Sequence, residues 1–244
     1  MTCERIAVDQ ERLLSAPEII EALYKNPHTR MSTVDRLVEL AARNGVELTG
    51  VHTFAAHVEA IKDELIAEAT DEALPGDQNF SEAVAADDDE DSVETDEEKD
   101  AEKVKDKHMP LAQRIAEMKP QEKLRFATLC DAAGRAILVR DANRAVSMAA
   151  VTSPKMTENE AARVASSKQV SEEILRYIGN RREWLGNYEV KRALVFNPKT
   201  PIGVSLKFLS HMRPNDLRAI ARSRNIPASL KATATQRMNK KPGS

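Results

Sequence analysis

A short apolar helix ending in a proline turn recurs in this chain, and that recurrence limits the fold more than any other feature. Ala22-Leu-Tyr-Lys-Asn-Pro27-His-Thr aligns without gaps on Ala193-Leu-Val-Phe-Asn-Pro198-Lys-Thr, and more weakly on Ala149-Ala-Val-Thr-Ser-Pro154-Lys-Met. The residue before a proline is pushed out of the α region, so each copy closes one helix and opens the way to another. Pro154 and Pro198 lie 44 residues apart, close to one helical repeat or two short ones. A second junction recurs as Ala165-Ser-Ser-Lys-Gln-Val170 and Arg222-Ser-Arg-Asn-Ile-Pro227. Short helices of this kind have too little apolar surface to fold alone; stacked, they bury a continuous Ala/Leu/Val core. The alternative is a non-repetitive bundle whose turns coincide.

The expected fold is all-α: short helix-pair repeats stacked as an α-solenoid, a small N-terminal helical unit and a disordered acidic linker. Apolar spacing and capping signals predict helices from Ser15 to Asn26, with Ser15 and Glu18 as a capping box, from Ser32 to Asn44, and from His52 to about Ala69. Ten more are expected, beginning near Leu111, Gln121, Ala132, Arg144, Glu158, Glu172, Tyr188, Ile202, Asp216 and Ala228. Thr157 and Glu160 form a second capping box, and Thr200-Pro201 puts proline at a first helical position. No segment alternates with period two, which speaks against a sheet.

Charge divides the chain. Residues 1–106 hold 28 acidic and 10 basic side chains, and 107–244 hold 11 acidic and 26 basic, within an overall net charge of −3. The acidic excess is densest between Asp77 and Asp106. A like-charged block with few large apolar residues cannot offset its ordering entropy, so 77–107 reads as a disordered linker. The expected divisions are therefore 1–76, 77–107, 108–238 as a basic helical repeat domain, and 239–244 as a flexible tail. The N-terminal piece is either a separate unit or the remnant of another repeat array. The linker is either a solubilising spacer or a tethered strand in intramolecular contact with the basic domain, competing with external polyanions.

Ala193-Leu-Val-Phe-Asn-Pro-Lys-Thr-Pro201, with an apolar helix ending at Phe208-Leu209, resembles the leucine-rich-repeat-variant group, which is related in architecture to HEAT repeats. Asn180-Arg-Arg-Glu-Trp184-Leu-Gly-Asn-Tyr188-Glu-Val-Lys-Arg-Ala-Leu-Val195 is similar to bacterial hypothetical proteins of that kind. The resemblance covers about 122–238 well and 17–45 loosely. It implies a right-handed solenoid that serves as a scaffold for macromolecular contact, with no activity inherent to the repeat. Some members hold an iron–sulfur cluster on a cysteine-rich segment; Cys3 and Cys130 are too few for that.

The chain carries no GxGxxG, P-loop, GxSxG or HExxH pattern, so the expectation is no enzyme, no cofactor and no metal. His52 and His57 are five apart, a spacing that does not put both on one ligand face, and read as surface residues. Cys130 reads as a small buried hydrophobe and Trp184 as a core or helix-junction residue. Two cysteines and the lack of a long apolar run or an apolar leader point to a soluble cytoplasmic protein without membrane contact. The basic surface is the functional candidate: Arg181, Arg182, Lys191, Arg192, Lys199, Lys207, Arg213, Arg218, Arg222 and Arg224. The first expectation is a protein-docking scaffold. The second is nucleic-acid binding by the basic domain, modulated by the acidic linker. Against both stands plain solvation of helix exteriors, since no aromatics are interleaved for base stacking.

Overall fold

In a computed structural model, residues 2–64, 66, 73–90 and 111–239 are described, and among them every regular element is a helix. Ten belong to a first compact unit, Met1–Lys155: α1 Thr2–Ile6, α2 Gln10–Ser15, α3 Pro17–Lys25, α4 Met31–Arg43, α5 Phe54–Ile61, α6 Pro75–Glu90, α7 Leu111–Glu117, α8 Pro120–Leu129, α9 Ala132–Leu138 and α10 Arg144–Thr152. A second unit, Met156–Ser244, holds α11 Glu158–Ser166, α12 Glu172–Asn180, a 3-10 turn at Trp184–Gly186, α13 Tyr188–Phe196, α14 Ile202–Leu209, α15 Pro214–Arg222 and α16 Ala228–Asn239.

In the first unit α8 is the hub, packed against α3, α5, α6, α9 and α10. Its residues are buried nearly all round, polar ones included: Gln121, Glu122, Leu124, Arg125, Phe126, Ala127 and Thr128. A helix without a solvated face is a core helix, and its charged residue must find partners inside. Arg125, wholly buried, donates from Nε to the Tyr24 carbonyl (3.0 Å) and from Nη2 to those of Asn26 and Thr29 (both 2.8 Å). Those carbonyls lie at the end of α3 and in the turn to α4, where helical partners run out and negative partial charge collects. The Phe80 ring covers the guanidinium at 4.6 Å. Burial drags the Arg125 pKa down to about 10, which leaves it charged at neutral pH.

Two expectations for this unit are corrected. The acidic tract does not begin as a disordered linker at 77, because α6 runs to Glu90. Asp77, Phe80, Ala83 and Asp87 are buried, at spacings that share one helix face. Asp77 accepts the Ser32 amide (2.7 Å) and hydroxyl (2.8 Å) in the first turn of α4. Asp87 accepts the amides of Asp131 (2.6 Å) and Gly134 (3.1 Å) at the start of α9. Carboxylates at helix N-termini are stabilised by unpaired amides and the helix dipole, a use of acidic residues that a count of charge conceals. The remainder of that linker, 91–107, lies outside the described residues, as does the tail from 240 onward. The second correction concerns the divisions: α3–α5 and α6–α10 pack as one unit, and the break comes after Lys155 rather than at 76 or 107.

Smaller departures have local causes. Ser15 caps nothing, since its hydroxyl turns back to the Arg12 carbonyl (2.9 Å) and closes α2, leaving Ala16 before α3. The third predicted helix stops at Ile61. Pro201 stands just before the first helical residue of α14. The capping box of Thr157 and Glu160 is present at the head of α11.

The second unit obeys one rule. Helices α11, α12, α13 and α15 each have nine residues and α14 has eight. The starts of α11 to α16 advance by 14 residues on average. Ser167, Asn197 and Ser223 end their helices in extended conformation, with φ of −74°, −80° and −65°. Each side-chain oxygen then accepts the amide two residues on, at Gln169 (3.3 Å), Lys199 (3.0 Å) and Asn225 (3.3 Å). Such local bonds divert the backbone from helix into a turn. One residue further, Val170, Thr200 and Ile226 are buried. Asn26, His28 and Thr29 in the first unit repeat the same turn, with Asn26 Oδ1 accepting the His28 amide at 2.9 Å.

Candidate docking surface

Asn197 ties the second unit's layers together. Its Nδ2 donates to the carbonyls of Ala165 (2.7 Å) and Ser167 (2.9 Å) at the end of α11. The C-terminal ends of α11 and α13 therefore coincide, and the two helices run parallel. Lys199 repeats the tie one turn on, its Nζ 3.4 Å from the Val170 carbonyl. Helix α13 also packs on α12 and α14, and α16 on α14 and α15. Buried side chains such as Ile174, Leu175 and Ile178 of α12 fill the interior, each contributing roughly 1.5–3 kcal/mol by leaving water. This packing drives the charged positions outward.

The ten predicted cations fall into distinct settings. Arg192 and Arg213 flank the Tyr188–Asp216 pair: Arg192 Nε lies 3.1 Å from Asp216, and Tyr188 donates its hydroxyl to the same carboxylate. Arg213 lies 4.3 Å over the Tyr188 ring and gives its amide to that hydroxyl at 3.0 Å. Partial burial opposes the Asp216 charge, but Tyr188, Arg192 and Arg213 outweigh it and hold the carboxyl below its ordinary range. Arg181 sits over Trp184 (5.6 Å) and Tyr177 (6.0 Å) and pairs with Glu183 at 3.0 Å. Lys207 rests 5.6 Å from the ring of Phe208, and Arg218 donates to Asn215 at 3.1 Å. Arg182, Lys191, Arg222 and Arg224 have no ionic or side-chain hydrogen-bond partner among the described residues; Lys191 is half-buried and the other three are exposed. The structure thus brings Arg192 to Asp216 and Arg213 to the Tyr188 that shares that acid, and distributes the others along the unit.

Two further cations, Arg163 on α11 and Lys168 after it, lie in the same unit, exposed and unpaired among the described residues. A plain signal was available in the sequence: after Glu189 the chain carries twelve Lys and Arg and one acidic residue, Asp216. With Asp216 committed to Tyr188 and Arg192, nothing acidic on α14 to α16 offsets their cations.

The first unit's chemistry-bearing groups are turned inward. His57 is a correction to the surface placement: it is fully buried, with Nε2 2.7 Å from Asp35 and Nδ1 3.2 Å from the Tyr24 hydroxyl, which in turn is 2.8 Å from Thr53 Oγ1. His52 is exposed as a residue, though desolvation around its ring lowers its pKa despite a 3.4 Å contact to the Ala149 carbonyl. Cys130 is buried and burial pushes its thiol pKa far up, so it is inert as a nucleophile. Among the described residues no helix is long and apolar enough to cross a membrane. Comparison with known proteins finds no matching family model, no similar curated protein and no similar solved structure.

Proposed function

We propose that the chain is a non-enzymatic interaction scaffold of a bacterial cytoplasm, a helical-repeat array whose second unit docks an acidic partner protein. The observation that carries this reading is the charge of α14 to α16, where cations stand without acidic neighbours and the nearest carboxylate is already paired. Parallel α11 and α13, the 14-residue step and the repeated Asx and Ser turns support the solenoid assignment and its resemblance to leucine-rich-repeat variants.

A protein partner is favoured over nucleic acid by the aromatic residues. Trp184 is buried, and Arg181, Arg192 and Arg213 lie over the rings of Trp184, Phe196 and Tyr188. Those rings are occupied by the protein's own cations and offer no free stacking platform for bases, whereas Arg and aromatic anchors are the residues that dominate protein interfaces. The chain's own acidic tract supplies a competitor of the right chemistry.

The test is anisotropy of labelled poly-glutamate and of random duplex and single-stranded DNA with the full chain, across a salt series. Tighter retention of the polypeptide supports the proposal. Tighter DNA binding with a steep salt slope replaces it with the nucleic-acid reading, and no retention of any probe at low salt overturns both. A chain deleted for 91–106 should bind poly-glutamate more tightly if the tract competes.

A further inference from the structure

We infer that the cleft between α11 and α13 is the pocket that receives the acidic partner, and that it takes a peptide segment in which a carboxylate is followed closely by a large apolar side chain. The inference rests on the docking role proposed for the second unit and goes further, to one place and one ligand chemistry.

The cleft has a volume of about 340 Å³, near the lower end of the roughly 300–1,000 Å³ typical of ligand sites. That is room for a few side chains, too small for a packed helix or a duplex. Its floor is apolar, formed by Ala162, Ala193 and Phe196. Arg163 and Lys168 stand on one side, both exposed and unpaired among the described residues. Arg192 stands on the other, 5.2 Å over the Phe196 ring, and is already engaged by Asp216 and Glu189. The cleft therefore has two cations free to meet an anion and a third that holds the aromatic floor in place.

Two features select the occupant. An incoming carboxylate gains charge-assisted hydrogen bonds from Arg163 and Lys168 without breaking an existing pair. The apolar floor gains only if a side chain displaces water from it, which a phosphate backbone does not bring. Glu189, also on the rim, repels a second carboxylate placed opposite the first. A run of acids consequently fits less well than one acid beside an apolar residue.

The probe is a labelled synthetic peptide of alternating Glu and Leu, compared with poly-glutamate of equal length on the full chain. The Glu-Leu peptide should bind more tightly than poly-glutamate. Arg163→Glu with Lys168→Glu should weaken it by about tenfold or more, in line with losing a charge-assisted bond. Ser166→Trp, which plugs the cleft from an exposed position, should do the same, whereas Arg140→Glu, exposed on the first unit, should leave binding within about twofold, and Arg222→Glu with Arg224→Glu reports on the α15 face instead. Circular dichroism confirms that each variant keeps its helix content. If poly-glutamate binds but the cleft variants match the parent and the Arg222/Arg224 variant does not, the pocket is wrong and the docking role stands. If neither peptide binds the parent chain, the docking role itself fails.

Discussion

The guanidinium of Arg125 in α8 lies 2.8 Å from the backbone carbonyl of Asn26, the residue that ends α3 almost a hundred positions earlier. The same side chain also takes the carbonyls of Tyr24 and Thr29 and sits beneath Phe80. One buried cation thus joins α3, the turn to α4, α6 and α8. Removing it leaves the Tyr24 and Thr29 carbonyls without this partner in a dry interior, while the Asn26 carbonyl keeps the Thr29 amide. Arg125→Met should destabilise the first unit by on the order of 3–5 kcal/mol in urea unfolding. Arg125→Lys should recover only part, because an ammonium lacks the planar fork. A Met variant as stable as the parent would refute the linchpin role.

Gly134 leaves no space for a side chain. A Cβ there would stand 2.7 Å from Asp87 Oδ1 and 2.7 Å from the Cβ of Cys130, whose own backbone cannot yield. Gly134→Ala should therefore loosen the end of α6 at a cost of about 1–3 kcal/mol. Amide exchange within 80–87 should quicken while exchange in the second unit stays unchanged.

The same contact should respond to pH. Burial, then the neighbouring Asp131, push the Asp87 pKa up to about 7 from an ordinary 3.8. A raised carboxyl favours its neutral form when docked, so its contribution is fully present below pH 4 and is lost as pH rises through 7. Asp131 moves the opposite way, held low by Asp87, the start of α9 and Arg135 against its own desolvation. Below pH 7 the pair is thus mostly one neutral and one ionised carboxyl. Protection factors in α6, taken relative to the base-catalysed intrinsic exchange rate, should be lower at pH 8 than at pH 6, and Asp87→Asn should abolish that difference. An unchanged pH response in the Asn variant would assign the effect elsewhere.

The two aligned octapeptides should not tolerate substitution equally. Asn197 makes two carbonyl bonds to the end of α11 and one turn bond. The matching Asn26 has the turn bond, and among the described residues its Nδ2 meets only the Cys3 sulfur at 3.5 Å. Asn197→Ala should cost about 2–3 kcal/mol and Asn26→Ala about 1 kcal/mol or less by thermal or urea unfolding. Asn197→Asp should be at least as harmful as Ala, since a carboxylate would face two carbonyls.

Helix positions in the basic half were readable because they depend on local chemistry. Thr157, Ser171 and Asn187 cap their helices through their own side chains, and Asn197 and Ser223 end theirs through bonds spanning two residues. The helix α6 was missed for the opposite reason. Asp77 and Asp87 are stabilised by amides 45 and 44 residues away, and nothing near them in the chain announces those partners. Arg125 and His57 were misplaced or overlooked on the same ground, since a polar residue's burial depends on what surrounds it in space. On the candidate surface the cations were visible individually; that Arg192 is spent on Asp216 while Arg163 and Lys168 are free was not.

From residue order alone came the helical class, the succession of caps and turns, and the opposed charges of the two halves. These are properties of bonds spanning four residues or fewer, or of simple sums. Tertiary structure alone decided where the units divide, which aspartates anchor α6, which turn Arg125 closes, and that α11 and α13 leave a cleft between them. Each of those is a balance between desolvation and a partner distant in sequence, and its sign is undefined until the chain has folded.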